Sequence, residues 1–556
     1  MKKTLVSLLL AAMLVLTSVA GLADGLAALP AIPEAYSLPI EGAENVPQLS
    51  IYLGTEAGYE KAYLSYDEHV AIIEWENRTG LDFTFVHPPL NDDGSFFNTV
   101  IASGDLPDVF VSGFDYYIGD VEGAIQDGVI LDLNPYIEKY GYYYLTEAHN
   151  MWDEQAMKNF MTDSGMFRFG AASQRVPVLG QQHSGFVVRE DLLDAAGLDV
   201  PETIGQFTDM LRAFKELGVE EPLVFEKLSS SYIYGNGFLT SHLGVNSNSW
   251  MLDEEGKVTY SMVHPNYVEW LKLLNGWYNE GLISIDCISR THSDAEAVVT
   301  SGRGGVVAFG NWETQENIAV GKAAVGEEFN LLGMSVLAAD EESIGEQYNI
   351  FASPIVNGEN GNYFGISTQN PNPVETFKAL DYLYSYEGVE LMVFGPETAI
   401  DQLHREDGQV VDIHWTNEDG TRQFSEYILN NPELEYNSIR YIYTIQGLST
   451  EYASEMEYMQ YGEECNAQCW EEWTEMYDVE HRQRIPSTIT LTAEEASERT
   501  VIMTDVETYI YEVINNIVFG QEDIANWDKH VQTLYDMGIE RAIEITQTAV
   551  DRYNNR

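Results

Sequence analysis

The sequence predicts an α/β protein of two or three domains or lobes, and three observations support this prediction. The chain has 556 residues, which is too many for one ordinary hydrophobic core. Apolar residues make up 45% of the composition, as in other globular proteins, so a large core can form. Segments with strand-like alternation take turns with segments of helical spacing, an order typical of a mainly parallel sheet.

The first predicted elements follow a loose stretch over residues 24–48, where prolines break any helix. Alternating apolar residues predict three strands, at Leu49–Gly54, Leu81–Val86 and Asp108–Ser112. Apolar residues at helical spacing predict two helices between them, at Asp67–Thr79 and Phe96–Ser103. Gly80 follows the first helix and favours its end.

The same alternation recurs later in the chain. A short strand is predicted at Phe186–Arg189, and an amphipathic helix at Glu202–Leu217. A further helix at Pro265–Glu280 carries aromatic residues at helical spacing, which we interpret as core. The segment Thr504–Glu507 has the form of a capping box, so a helix is predicted to begin there and to run to Gly520.

Acidic residues dominate the charge of the chain, since 89 Asp and Glu residues oppose 28 Lys and Arg residues and give a formal net charge of −61. They are scattered, so we interpret most of them as solvated surface. The negative field repels other polyanions, and nucleic acid is therefore not expected as a partner. The field also favours a neutral ligand, although physiological salt screens it beyond roughly 8 Å.

The amino terminus has the features of a secretory signal. Lys2 and Lys3 precede an apolar run over Leu5–Leu16, and small residues follow it. This run is too short to span a membrane comfortably, and no other segment is long and apolar enough. We expect residues 1–23 to direct export and to be cleaved, with an uncleaved anchor as the alternative.

Three cysteines occur, at positions 287, 465 and 469, too few to form a disulfide scaffold for a chain of this length. Cys465 and Cys469 would share one face of a helix. They could form a bridge or bind a metal, but two free thiols are favoured. Cys287 has no evident partner in the sequence.

The motifs of several enzyme classes are absent from the sequence. There is no GxxxxGK[ST], HExxH, GxSxG or GxGxxG, and the eleven histidines show no metal-ligand spacing. We therefore expect no cofactor and no metal. Paired carboxylates could hydrolyse a glycoside, but with 89 acidic residues the spacing identifies no pair.

Seven segments, in order along the chain, resemble family 1 extracellular solute-binding proteins, the maltose-binding-protein type of receptor for carbohydrate ABC importers. They are Ala102–Asp108, Gly128–Ile137, Phe186–Leu198, Pro201–Phe207, Leu271–Ile285, Val374–Tyr384 and Phe519–Tyr553. The resemblance implies a periplasmic-binding-protein-like fold of type 2, with two lobes, a cleft between them and several hinge crossings.

The stretch Gly305–Asn317, GVVAFGNWETQEN, contains the principal candidate for ligand binding. In the family, a strand that ends in Gly-x-Trp forms one wall of the cleft, and Trp312 matches that tryptophan. An indole covers the apolar face of a sugar ring well, while Asn311, Glu313 and Gln315 offer hydrogen bonds to hydroxyl groups. Alternatively, Trp312 only packs at the end of a helix.

Other candidates come from the ends of predicted strands. Tyr232 and Tyr234 lie where the resemblance implies an aromatic residue of the cleft. Asp115 and Tyr116 follow a strand whose carboxyl end is a usual ligand position in open α/β sheets, and Glu56 is placed by the same logic. Arg189 matches an arginine of the family and is a candidate for either ligand contact or a structural ion pair.

The sequence departs from the family pattern at three places. No cysteine precedes Cys287, so a lipid tether after the signal is not expected. The position of the calcium loop found in many relatives holds only Gly218–Pro222, so that site is expected to be lost. The usual Arg-x-Asp-Trp-Leu is here Arg189–Leu193 without its tryptophan.

The resemblance implies an extracellular, monomeric receptor that binds a neutral oligosaccharide and delivers it to an ABC permease, its only route to the membrane. The first lobe is predicted over residues 49–165 with 351–400, and the second over 166–350 with most of 401–556. Chain crossings are expected near 165–175, 350 and 400. Three alternatives stay open: a secreted carbohydrate-active enzyme, a binding protein for peptides or other solutes, and a sensor.

Overall fold

The computed structural model describes residues 29–556 except 56–57, 90–91, 93, 153, 171–183, 227–236, 247–249, 352–362, 419–421, 430, 435, 446–447, 449–467, 470–471 and 474–482, and the side chains of residues 151, 155, 311, 312 and 315. The chain divides into two compact units. The first unit comprises Met1–Pro177, Val356–Gln460 and Arg552–Arg556, and the second comprises Val178–Ile355 and Tyr461–Asp551.

The helices and strands alternate between the two units along the chain. The first unit begins with β1 (Leu49–Tyr52), α1 (Val70–Thr79), β2 (Phe83–Val86), α2 (Ser95–Ser103), β3 (Val109–Val111), α3 (Asp120–Gln126), α4 (Asn134–Tyr140), α5 (Tyr142–Met151) and α6 (Glu154–Asn159). The second unit follows with β4 (Ser184–Arg189), α7 (Glu190–Ala196), α8 (Ile204–Glu216), β5 (Glu221–Leu223), β6 (Trp250–Leu252), β7 (Val258–Tyr260), α9 (Tyr267–Asn279), α10 (His292–Thr300), β8 (Gly304–Gly310), α11 (Asn311–Val325) and β9 (Leu331–Gly333). The first unit resumes with β10 (Phe364–Ile366), α12 (Pro373–Tyr382), α13 (Tyr386–Phe394), β11 (Thr398–Ile400), β12 (Val410–Asp412), β13 (His414–Thr416), β14 (Arg422–Phe424), α14 (Glu426–Leu429) and α15 (Tyr436–Arg440). The last helices are α16 (Ala493–Val518), α17 (Trp527–Asp536) and α18 (Ile539–Asn554).

The first unit has a four-stranded sheet in the order β10-β3-β1-β2. β1 runs parallel to β2 and β3, while β10 is antiparallel to β3. The predicted helix before β2 ends at Gly80, which has a left-handed φ of 80°. Trp75 of that helix is fully buried and stacks on Phe83 of β2 with 4.1 Å between ring centroids. This contact joins the helix to the sheet.

The second unit has a four-stranded sheet in the order β5-β8-β4-β9. β4 is antiparallel to both β8 and β9, and β5 is parallel to β8. The prediction of a mainly parallel sheet is therefore wrong for this unit. Every residue of β8 is buried, so the strand reads as a continuous apolar run, which carries no information on strand direction.

The aromatic residues of α9 confirm their predicted core role. Tyr267, Trp270 and Trp277 are buried in the second unit, and Trp277 Nε1 donates to Thr208 Oγ1 at 3.1 Å. Cys287 is buried in the same core, which raises the pKa of its thiol to about 12. Cys469 is also buried, whereas Cys465 lies outside the described residues, and the structure leaves their pairing open.

Residues 401–460 belong to the first unit, whereas the sequence predicted that they join the second. The reason is a separate apolar cluster, in which Tyr63 packs against residues of β12, β14 and α15. Tyr63 Oη also donates to the carbonyl oxygen of Ile442 at 2.7 Å. The division near 400 is therefore wrong, and the division that replaces it, after Gln460, falls outside the described residues. The divisions at Pro177 and Ile355 fall outside the described residues.

The predicted helix start at Thr504 is wrong. α16 begins at Ala493, and its capping box is formed by Thr492 and Glu495. Thr504 lies within the helix, where its hydroxyl donates to the carbonyl oxygen of Thr500 at 2.8 Å. The buried residues of α16 begin only at Met503, so the turns before Thr504 are not fixed by the core. They begin at the capping box and are bonded to α18, where Arg541 Nε donates to Glu498 Oε1 at 2.9 Å.

A pair of alanine substitutions tests the position of this cap. Thr492→Ala removes a side-chain acceptor of the first turn and should lower the free energy of unfolding by about 1 kcal/mol. The matched control Thr504→Ala removes an exposed threonine within the helix and should change that free energy by less than about 0.5 kcal/mol. Urea unfolding of both variants provides the measurement, and the reverse ranking would restore the predicted start at Thr504.

The buried His69 should make the first unit less stable in acid. The imidazole is fully buried, with Nδ1 accepting from Ala71 N and Nε2 donating to the carbonyl oxygen of Tyr441, each at 3.2 Å. Burial disfavours the charged form and lowers the pKa of His69 to about 3. The unfolded chain, with an ordinary histidine pKa of about 6.5, therefore binds the proton more readily below that pH.

His69→Gln removes this titration and leaves the other ionisable groups in place. The stabilisation due to neutral His69 should be complete above about pH 6.5 and decline by up to about 1.4 kcal/mol per pH unit toward pH 3. Unfolding free energies of the protein and of the variant, measured at pH 7.0, 5.5 and 4.5, should converge as the pH falls. A constant difference would contradict the neutral state of His69.

Candidate functional site

The carboxyl ends of β1 and β3 meet at one edge of the sheet in the first unit, because the two strands are parallel. Asp115 and Tyr116 lie at this edge, in a single 3₁₀ turn over Phe114–Tyr116. Phe114 is buried and anchors the turn, while Asp115 is exposed and Tyr116 is 49% exposed. The predicted position of both residues beyond β3 is therefore correct, and their role in ligand binding stays a prediction.

The backbone around this turn is held in unusual conformations. Ser112 and Asp120 have φ values of 71° and 57°, although neither is a glycine. Such conformations cost free energy and are concentrated at functional sites. Gly94 has a φ of 87°, and a Cβ at this position would lie 2.4 Å from Cδ1 of the Tyr116 ring. The ring therefore depends on a glycine beneath it.

A buried ion pair supports the turn from behind. Arg168 is almost fully buried, and its Nη2 lies 2.7 Å from Asp120 Oδ2. Its guanidinium also lies over the ring of Tyr363, 5.3 Å from the centroid. Although Asp115 is exposed, the surrounding protein reduces the hydration of its carboxylate. This effect and the like charge of Asp120 raise the pKa of Asp115, and Arg168 opposes the shift. Glu56, the other candidate at this edge, lies outside the described residues.

In the second unit, the parallel pair β5 and β8 brings two further carboxyl ends together. β8 ends at Gly310 and α11 begins at Asn311, so Asn311, Trp312 and Glu313 form the first turn of that helix. The predicted strand end and helix start are thus confirmed. The side chains of Asn311 and Trp312, like residues Tyr232 and Tyr234, lie outside the described part of the chain.

Glu313 has structural partners for both carboxylate oxygens. Oε2 accepts from Gly310 N at 2.8 Å and caps the helix, while Oε1 faces His292 Nε2 at 3.0 Å. The other ring nitrogen of His292, Nδ1, donates to Glu226 Oε1 just beyond β5. These hydrogen bonds to Glu226 and Glu313 raise the pKa of His292 to about 10. A role of Glu313 in ligand binding stays a prediction. Its carboxylate would then have to accept a hydrogen bond from the ligand in addition to those from Gly310 and His292.

Arg189 has a structural role at the end of β4. Its guanidinium is buried, with Nη2 2.5 Å from Asp191 Oδ2 and Nη1 donating to the carbonyl oxygen of Gly302 at 2.9 Å. It also lies over the ring of Phe329, 5.1 Å from the centroid. Of the two predicted alternatives for Arg189, the structure contains the ion pair.

Sequence reasoning missed a set of buried polar side chains in the second unit. Within the described residues, no hydrogen-bond partner is present for Thr240 Oγ1, Ser241 Oγ, Asn246 Oδ1 or Asn349 Nδ2. A Cβ at Gly237 would lie 2.8 Å from Ser241 Oγ and 2.6 Å from Asn349 Oδ1, so the side chains of Ser241 and Asn349 lie close together. Hydroxyl and amide groups recognise other hydroxyl groups. Isolated polar residues form no motif, so no sequence signal pointed to this set.

Two structural features are absent from the described residues. No group of three or more His, Cys, Asp and Glu side chains there is arranged to hold a metal ion. Among the helices of the same residues, none combines the length and the apolar character needed to cross a membrane.

Arg189→Gln tests the structural assignment of this arginine. Breaking a buried ion pair leaves Asp191 uncompensated and should lower the free energy of unfolding by about 3 kcal/mol. The control Arg212→Gln breaks an exposed pair with Glu280 and should cost less than about 1 kcal/mol. Calorimetry of both variants provides the measurement, and an unchanged stability in Arg189→Gln would return the residue to the ligand-binding candidates.

Comparisons with known proteins give a consistent result. Residues 69–390 match the family model described as bacterial extracellular solute-binding protein. The chain is 25% identical to lipoprotein LipO of Bacillus subtilis over 249 residues. This alignment covers 43% of this chain and 46% of LipO. The chain is also 25% identical over 230 residues to the fructooligosaccharide ABC transporter substrate-binding protein FusA of Streptococcus pneumoniae, which covers 39% of this chain and 42% of that protein. The chain thus aligns with less than half of each of these two relatives.

Similarity of structure extends over most of the chain. An HMO-binding, ABC-transporter-associated solute-binding protein from Bifidobacterium longum infantis superposes with a TM-score of 0.68 at 14% identity, covering 91% of this chain and 99% of that one. A likeness at this identity shows the fold alone. The predicted two-domain α/β fold is confirmed.

Proposed function

The chain belongs to the bacterial extracellular solute-binding protein family, and from this premise we propose that it captures a carbohydrate and delivers it to the permease of an ABC transporter. The ligand is a neutral oligosaccharide. The main support is the position of Trp312 in the first turn of α11, directly beyond the carboxyl end of β8. Ligands of open α/β sheets bind at such ends, and an indole suits the apolar face of a sugar ring.

Two further observations support a carbohydrate ligand. The FusA protein is named for fructooligosaccharide, and the structural neighbour from Bifidobacterium is described as HMO-binding. A formal net charge of −61 disfavours a polyanionic ligand at long range. In this proposal stacking provides affinity, hydrogen bonds to hydroxyl groups provide specificity, and no bond is broken.

The proposal includes the partners and the location of the protein. The family is extracellular, and we propose export through residues 1–23 without a lipid-bearing cysteine near that segment. The protein acts as a monomer and reaches the membrane through the transmembrane subunits of the permease. An enzyme, a peptide receptor and a sensor are the competing functions, and binding experiments separate the first two from a carbohydrate receptor.

A thermal-shift screen of neutral and acidic oligosaccharides tests this function. A ligand at 100 times its dissociation constant should stabilise the protein by about 2.7 kcal/mol. Trp312→Ala should weaken the binding of that ligand by about 2 kcal/mol, or roughly thirtyfold, because a stacked aromatic anchor is lost. Trp415→Ala is the matched control, since Trp415 is a 40% exposed tryptophan of the other unit.

The outcomes distinguish a carbohydrate receptor from an enzyme and from a peptide receptor. A stabilising sugar that is recovered intact, with a loss of affinity only in Trp312→Ala, supports the receptor and the stacking role. Equal loss in both variants argues against the site at Trp312. Cleaved sugar indicates an enzyme, and a response to peptides alone contradicts the carbohydrate ligand.

A further inference from the structure

His292 joins three separate elements of the second unit. It is the first residue of α10, and its ring lies between Glu226, three residues beyond the end of β5, and Glu313, in the first turn of α11. Its own backbone is fixed by a capping box between Thr291 and Asp294. The imidazole therefore extends from a rigid position to the two segments that follow the parallel strands.

The geometry of the ring requires an imidazolium. Both of its nitrogens face carboxylate oxygens, which only accept hydrogen bonds when ionised, so both nitrogens must carry a proton. Glu296 is a third carboxylate, 3.9 Å from Nε2. We refer to His292, Glu226, Glu296 and Glu313 as the His292 cluster. The side chains of Glu226 and Glu313 are 7% and 19% exposed, so the pairing is only partly screened by water.

Two neighbouring residues strengthen the same connections. The buried Arg290 donates from Nη1 to the carbonyl oxygen of Phe225 at 3.1 Å, and its Nη2 lies 2.8 Å from Glu221 Oε2. Asn317 Nδ2 donates to Glu296 Oε1 at 3.2 Å and to the carbonyl oxygen of Glu313 at 3.0 Å. The start of α10 is thus bonded to both ends of β5, and α10 is bonded to α11.

We infer that His292 is a positioning residue, which holds the first turn of α11, with Trp312, against the carboxyl end of β5. The inference rests on the proposed function, since it assigns His292 a part in ligand binding without ligand contact. A side chain that stacks on a ligand gains affinity when its backbone is fixed before binding. The charge of His292 fixes this turn because two carboxylates of different elements depend on it.

The cluster has a defined pH dependence. Among the described residues, the groups that face His292 include Glu226 after β5, Glu296 on α10 and Glu313 on α11, with the ring of Phe309 of β8 6.0 Å away. The pKa of His292, about 10, exceeds that of an unfolded histidine, about 6.5. The stabilisation is therefore complete below about pH 6.5 and is lost as the pH rises through about 10.

The experiment follows Trp312 directly by ¹⁹F NMR of the full chain labelled with 5-fluorotryptophan, its resonance being assigned by its absence in Trp312→Phe. In the protein the Trp312 resonance should move with a midpoint near pH 10, and in His292→Gln it should be displaced at pH 7 and no longer titrate. The dissociation constant of a sugar found in the screen should rise by about tenfold or more in His292→Gln. His404→Gln is the control, because His404 lies between Asp401 and Glu433 in the other unit.

A second variant protects the test against misfolding. Glu313→Gln keeps a helix-capping side chain but removes the charge that faces His292, and it should displace the Trp312 resonance in the same way. An unchanged Trp312 resonance in either folded variant, or an unchanged sugar affinity in a protein that binds sugar, overturns the inference. If the resonance responds as expected but no sugar binds, the positioning role is supported and the carbohydrate function fails.

Discussion

The candidate site of the second unit depends on the pairing of one buried strand, β8, with β4 on one side and β5 on the other. All seven residues of β8 are buried, so its polar backbone groups must be satisfied within the sheet. Because β5 is parallel to β8, both strands end at the same edge. Glu226 follows the end of β5 and Trp312 follows the end of β8. The sheet therefore brings the two chain segments to the same edge.

In the first unit, parallel strand pairing also brings two carboxyl ends to one edge of the sheet, but different side chains follow them. Its parallel strands β1 and β3 place Asp115 and Tyr116 at one edge, and the buried pair of Arg168 and Asp120 supports that edge from within. Removing the Asp120 carboxylate would take away the ion-pair partner of the buried Arg168 guanidinium. In both units a basic side chain paired with carboxylates lies near the turn that carries a candidate residue, Arg168 in the first unit and His292 in the second.

Local patterns predicted many of the elements, because helix and strand periodicities reflect which face is buried. α1, α8 and α9 lie within two or three residues of their predicted bounds, and the junction of β8 with α11 lies where Gly310 and Asn311 indicated it. The predictions were wrong where one short sequence occurs in two structural environments. A Thr-x-x-Glu segment caps a helix at Thr492 but lies within one at Thr504, and the four residues of the segment do not distinguish the two positions. The assignment of residues 401–460 to the second unit was wrong for another reason. Their apolar residues suit any core, and contacts with Tyr63 place them in the first unit.

The sequence by itself determined the family, the two-domain α/β fold and the chain positions of Trp312, Asp115 and Tyr116, because each follows from short segments whose residues act locally. Only the tertiary structure decided the direction of the strands, the unit to which residues 401–460 belong, and the partners of Arg189, Glu313 and His292. These depend on side chains that are distant in the sequence and close in space. His292 and Glu226 are 66 positions apart, and no spacing rule connects them.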